Sequence, residues 1–239
     1  MPDQRREPTA PGSVGGVDGC RGGWVLCTLP AEGAVTIERI ERIDAVVERV
    51  DTGELALVGV DMPIGLPDTW GRACDDEARR RLGPRRSTLF ATPPRFLLGF
   101  ADDFEAANAA SRERTGRGLS VQAFHLLAKM AELDAALEAR HVSRIVECHP
   151  ESCFVTLAGG PLATSKRTAA GRAERLALLS PHLPRLAGHL NHRPPGVAAD
   201  DLLDAAAAAW AARRHLAGDA VVLGDGRRDA RGFPLQLIA

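Results

Sequence analysis

The sequence predicts an α/β protein: a mixed, five-stranded sheet flanked by helices, with a mainly helical insertion. Three observations predict it. Val14 to Leu29 read as two strands bent back at Gly22-Gly23. Leu55 to Val60 form an almost continuous apolar run, the pattern of a strand buried on both faces. Asp200 to Leu216 form a strong helix, with five consecutive alanines after Asp204.

The elements follow in order. Val14 to Cys20 is a first strand that reaches Asp18-Gly19, and Trp24 to Leu29 is its antiparallel partner. Ala34 to Ile40 alternate as a third strand. Ile43 to Val50 carry apolar residues at 43, 46, 47 and 50, which is helical spacing. The Leu55–Val60 strand stops at Asp61-Met62-Pro63, because Pro63 forbids a central strand from continuing. Residues 63–141 are helical and loop-like, with helices over Asp75–Leu82 and Gln122–Glu138. That stretch is too long for an ordinary connection and reads as an insertion. Ser143 to Cys148 return to strand, Gly171 to Leu179 to helix, and His182 to Gly196 to loop. Ala220–Leu223 and Leu235–Ile238 read as short terminal strands. Hairpin strands first and strand–helix–strand units afterwards give a mixed sheet covered by helices. Residues 14–239 are expected to form one domain, preceded by a polar, Pro-rich leader over 1–13 that lacks the apolar core of a signal peptide.

Composition narrows the class. The 239 residues suffice for one large core with an insertion. No apolar run is long enough to span a membrane. The five cysteines, an odd number without a C-x-x-C pair, argue against a disulfide framework or a structural zinc site and point to a reducing cytoplasm. A net charge of −1 counts against wrapping long duplex DNA. Aromatic residues at 4%, with no tyrosine, exclude a long base-stacking platform.

Four acids stand out by position. Asp18 ends the first strand and Asp61 the fourth, while Asp201 and Asp204 share a face of the last helix. Residues at the carboxyl ends of neighbouring strands converge at one edge, and a helix over that edge would complete a ring of oxygens. Such a ring suits Mg²⁺ or Mn²⁺. Each acid also has a plainer role open to it: Asp18 in a turn, Asp61 or Asp200-Asp201 as caps. Asp204 lies past the first turn among alanines, where a carboxylate needs a partner. Glu147 is either a further ligand or the partner of an arginine. His149 is either a base or a structural group.

These residues fall within segments that resemble the DUF429 family, described as nucleases of the ribonuclease H-like fold. The matching segments are Gly16–Trp24, Val60–Pro67, Arg86–Phe90, Leu119–Phe124, Glu147–Glu151, Lys166–Thr168 and Asp200–Ala205. The resemblance spans roughly residues 14–239. It implies a ribonuclease H-like sheet. A wider similarity to Holliday-junction resolvases implies two metal ions held by Asp18, Asp61, Asp201 and Asp204. The fourth-strand acid is often Glu in resolvases and is Asp61 here.

Seven arginines lie between residues 72 and 95. Arg85 and Arg86, with Lys166, are candidate clamps for substrate phosphate; the alternative is a solvated charged helix balanced by Asp75, Asp76 and Glu77. The candidate catalytic set is Asp18, Asp61, Glu147, Asp201 and Asp204. The leading expectation is a metal-dependent nuclease or phosphodiesterase acting on nucleic acid or a nucleotide. The alternatives are a phosphotransferase or NTP hydrolase of the actin-like superfamily, and an inactive binding protein of the same fold.

Overall fold

The computed structural model describes residues 12–239. The expected leader therefore lies, except for Gly12 and Ser13, outside the described residues. Five strands form the main sheet: β1 (Val14–Cys20), β2 (Gly23–Leu29), β3 (Thr36–Ile40), β4 (Leu57–Val60) and β5 (Ile145–Glu147). Their order is β3-β2-β1-β4-β5. The first three run antiparallel, while β1, β4 and β5 are mutually parallel. This is the mixed sheet expected of a ribonuclease H-like protein. The parallel half matters most, because the carboxyl ends of β1, β4 and β5 come out on one side.

Alternation along each strand sorts side chains between the two faces. On one face, Val25, Cys27 and Leu57 join a core shared with the last long helix, α8 (Ala199–Ala217), and with α5 (Pro150–Ala158) and α6 (Ala169–Leu179). On the other, Val17, Trp24, Leu26, Val58 and Val60 pack with α1 (Asp44–Asp51) and α4 (Val121–Ala136). Trp24 Nε1 and the Ile43 amide both donate to Glu132 of α4, tying that helix to the hairpin.

The alanine run of α8 has a purpose. A Cβ on Gly16 would lie 2.0 Å from the Ala205 carbonyl oxygen and 2.1 Å from the Ala209 nitrogen; one on Gly59 would lie 2.7 Å from the Ala208 oxygen. Helix and sheet thus meet backbone to backbone, glycine against alanine, and Ala205 to Ala209 are all fully buried.

Between β4 and β5 run α2 (Ala73–Leu82), two 3₁₀ segments (Gly83–Thr88 and Arg95–Phe100), α3 (Phe104–Thr115) and α4. The sequence expectation omitted α3, whose only buried residues are Ala107 and Ser111, too few for an apolar stripe. It also omitted α5, and it read residues 182–196 as loop where α7 (Leu186–Asn191) forms. The terminal strands β6 (Val222–Arg228) and β7 (Pro234–Ile238) form a separate two-stranded ribbon, joined to the β5 end by a bridge between Cys148 and Ile238. Among the described residues no helix is long and apolar enough to cross a membrane.

Candidate metal centre

Gly16 and Asp18 lie on the same face of β1, so Asp18 points towards α8. Leu57, Gly59 and Asp61 follow the same alternation, and the Asp61 amide donates to the Val17 carbonyl at 2.8 Å, locking the two strand ends together. Asp204 is on α8, one residue before the alanines that rest on Gly16 and Gly59. The three carboxylates therefore converge, with one oxygen from each within 4.8 Å of the others. They lie at the floor of a cavity of about 680 Å³. Asp204 is 2% exposed, whereas Asp18 and Asp61 open partly to the cavity.

Crowding like charges away from water raises the affinity for protons. Burial, then the repulsion of Asp61 and Asp204, holds the Asp18 carboxyl well above its usual range. Burial and Asp204 push Asp61 up to about 8. Burial raises Asp204 to about 6 against the pull of Lys166, whose Nζ contacts Asp204 Oδ2 directly. Burial works against the Lys166 charge, yet Asp204 and Asp61 outweigh it and raise its proton affinity above normal. The site thus favours added positive charge. Clustered carboxylate oxygens are the donors that hard divalent cations prefer, so Asp18, Asp61 and Asp204 fit such an ion.

The other expected residues take different places. Asp201 stands outside this group: its Oδ2 accepts from the Ala198 amide at 3.1 Å, capping α8. Its charge still reaches Asp18. Glu147 follows Ile145 in the alternation of β5, so it points to the opposite face of the sheet. There it meets Arg72, whose Nη1 and Nη2 donate to both carboxylate oxygens at 2.7 and 2.5 Å, and it accepts from the Ile64 amide at 2.9 Å. Arg72 also bonds Asp75 at 2.6 Å, and Arg72 and Asp75 are 1% and 0% exposed. Of the two roles open to Glu147, pairing with an arginine is the observed one. This Asp75–Arg72–Glu147 bridge was not foreseen; the run of arginines concealed which one turns inward.

His149 caps α5, with its Nδ1 against the Ser152 hydroxyl at 2.8 Å, and burial lowers its pKa to about 4. Arg85 lines the cavity and is held by Glu151 Oε1 at 3.3 Å and the Thr164 carbonyl at 2.9 Å. Glu151 is itself clamped by the fully buried Arg175 at 2.6 and 2.8 Å. Arg86 is exposed on the 83–88 turn. Lys166, expected to contact phosphate, lines the cavity and bonds a carboxylate of the cluster.

Fold and site together define an α/β protein whose mixed sheet carries an acidic cluster at the carboxyl ends of its parallel strands. The chain belongs to the DUF429 family, described as a protein of unknown function, whose model matches residues 16–228. No curated protein and no solved structure matches it.

Proposed function

We propose that this chain is a divalent-metal-dependent phosphodiesterase acting on a nucleic acid or a nucleotide, most simply in the cytoplasm. The supporting observation is the convergence of Asp18, Asp61 and Asp204 on the floor of a cavity that Arg85 and Lys166 also line. Residues 14–239 would act as one domain, with residues 63–141 as the insertion that walls the cavity.

When bound, Mg²⁺ or Mn²⁺ would supply Lewis acidity and a more acidic water. The three aspartates would hold it, with Asp201 adding negative field from the start of α8. Arg85 would orient a phosphate, since its guanidinium is already fixed by Glu151 and Thr164, and Arg86 would add charge at the rim. Glu147 would act indirectly, keeping the chain after Asp61 in place through Arg72 and the Ile64 amide. Two ions are the number the resolvase similarity implies.

The test is manganese-dependent turnover of oligonucleotides, dinucleotides and ATP by the wild type and by Asp18→Asn. Cleavage of a phosphodiester by the wild type alone is the expected result. Turnover of ATP alone would favour the phosphotransferase or NTP hydrolase reading, and no metal uptake would sink the proposal.

A further inference from the structure

Lys166 is the one cation in direct contact with the acidic cluster among the described residues. Its Nζ bonds Asp204 Oδ2, and its side chain is 40% exposed along the cavity wall. The loop that carries it is built to hold it there. Thr168 caps α6 by accepting from the Gly171 amide at 3.0 Å, and Arg175 Nη1 donates to the Thr164 carbonyl at 3.2 Å. A Cβ on Gly171 would lie 1.9 Å from the Ser165 oxygen, so the backbone beside Lys166 rests directly on α6. Both sides of Lys166 are therefore anchored.

The fourth acid, Asp201, is meanwhile engaged with the Ala198 amide. A divalent ion binds carboxylates in their deprotonated form, and three of these against one ammonium leave two negative charges, which one divalent ion neutralises. A second ion would find one Asp204 oxygen already taken and a fixed positive charge beside it.

We infer that Lys166 permanently fills the place of a second metal ion, so that the site takes one divalent cation rather than two. In two-metal sites the ions stabilise both the attacking and the leaving oxygen. Here the ion would serve one of these, and the Lys166 ammonium, reachable from the cavity, would serve the other by donating hydrogen bonds to a phosphate oxygen. This rests on the metal-dependent reading above, and it revises the number of ions that reading inherits.

The experiment is calorimetric titration of the full chain with MnCl₂, which counts ions without relying on activity. Wild type should bind one Mn²⁺ per chain. Lys166→Met, which keeps most of the length of the side chain and removes its charge, should bind two. Lys166→Arg should restore a count of one, and circular dichroism of each variant verifies folding. Two ions on the wild type, or one on a folded Lys166→Met chain, overturns the inference and leaves the phosphodiesterase reading standing. No Mn²⁺ on the wild type removes both.

Discussion

At the level of single residues, chemistry and stability separate. Burial and the charges of Asp61 and Asp204 favour the protonated Asp18 carboxyl without metal, and Asn is a close mimic of that form. Asp18→Asn should abolish metal-dependent turnover while the metal-free melting temperature, read by scanning fluorimetry, falls by no more than about 1 °C. Arg72 behaves oppositely. Arg72→Ala leaves the buried Asp75 and Glu147 without their cation, and losing one partner of a buried pair costs about 3–5 kcal/mol; denaturant unfolding should show this whether or not metal is present. The position of the aspartates was legible because strand ends and helix faces follow from periodicity. Glu147 was harder. Its proximity to the strand end made it a candidate ligand, but the alternation Ile145, Glu147 against Val146, Cys148 sends it to the far face. That signal becomes decisive only once the direction of Asp61 on the neighbouring strand is known. The destination of Lys166 was not legible at all, since nothing local to a loop lysine indicates which carboxylate it will meet.

At the level of elements, the close approach of α8 to β1 and β4 dominates. Gly16→Ala forces a methyl group into the α8 backbone and should cost more than about 4 kcal/mol or prevent folding, the range of severe core disruption. Gly188, in the middle of α7 with open space where a Cβ would go, provides the contrast: Gly188→Ala should stabilise by about 0.5–1 kcal/mol. Urea titrations of the two variants test both directions. The same contrast explains what the sequence made plain. Strands β1, β2 and β4 and helix α8 bury most of their residues, so their patterns are strong. Helices α3 and α7 bury one or two residues each and leave little periodicity. Helix α5 was obscured because His149-Pro150 looked like chemistry, whereas a cap followed by proline at the first helical position is a helix start.

For the whole molecule, the acidic cluster sets the dependence on pH. Asp61, raised to about 8, and Asp204, raised to about 6, keep protons that the unfolded chain gives up near pH 4. The stability tied to those protons is complete below about pH 4 and is lost as pH rises through about 8. His149 runs the other way: lowered to about 4, it contributes stability above pH 6.5 that disappears as pH falls towards 4. The metal-free protein should therefore melt highest in mild acid and progressively lower towards pH 8–9. A divalent ion binds the deprotonated carboxylates, so manganese should flatten or reverse that slope. At 100 times its dissociation constant it adds about 2.7 kcal/mol, or roughly 5–10 °C for a chain of this size. Melting curves at pH 5, 7 and 9, with and without MnCl₂, decide the matter. The backbone-to-backbone seat of α8 has one more consequence, which concerns ionic radius. The helix and strands that carry the three aspartates meet backbone to backbone at Gly16 and Gly59, which fixes the spacing of their carboxylates, and calcium needs more oxygens at longer distances than magnesium does. The site is expected to discriminate by size, admitting Mg²⁺ and Mn²⁺ and rejecting Ca²⁺ even at millimolar excess.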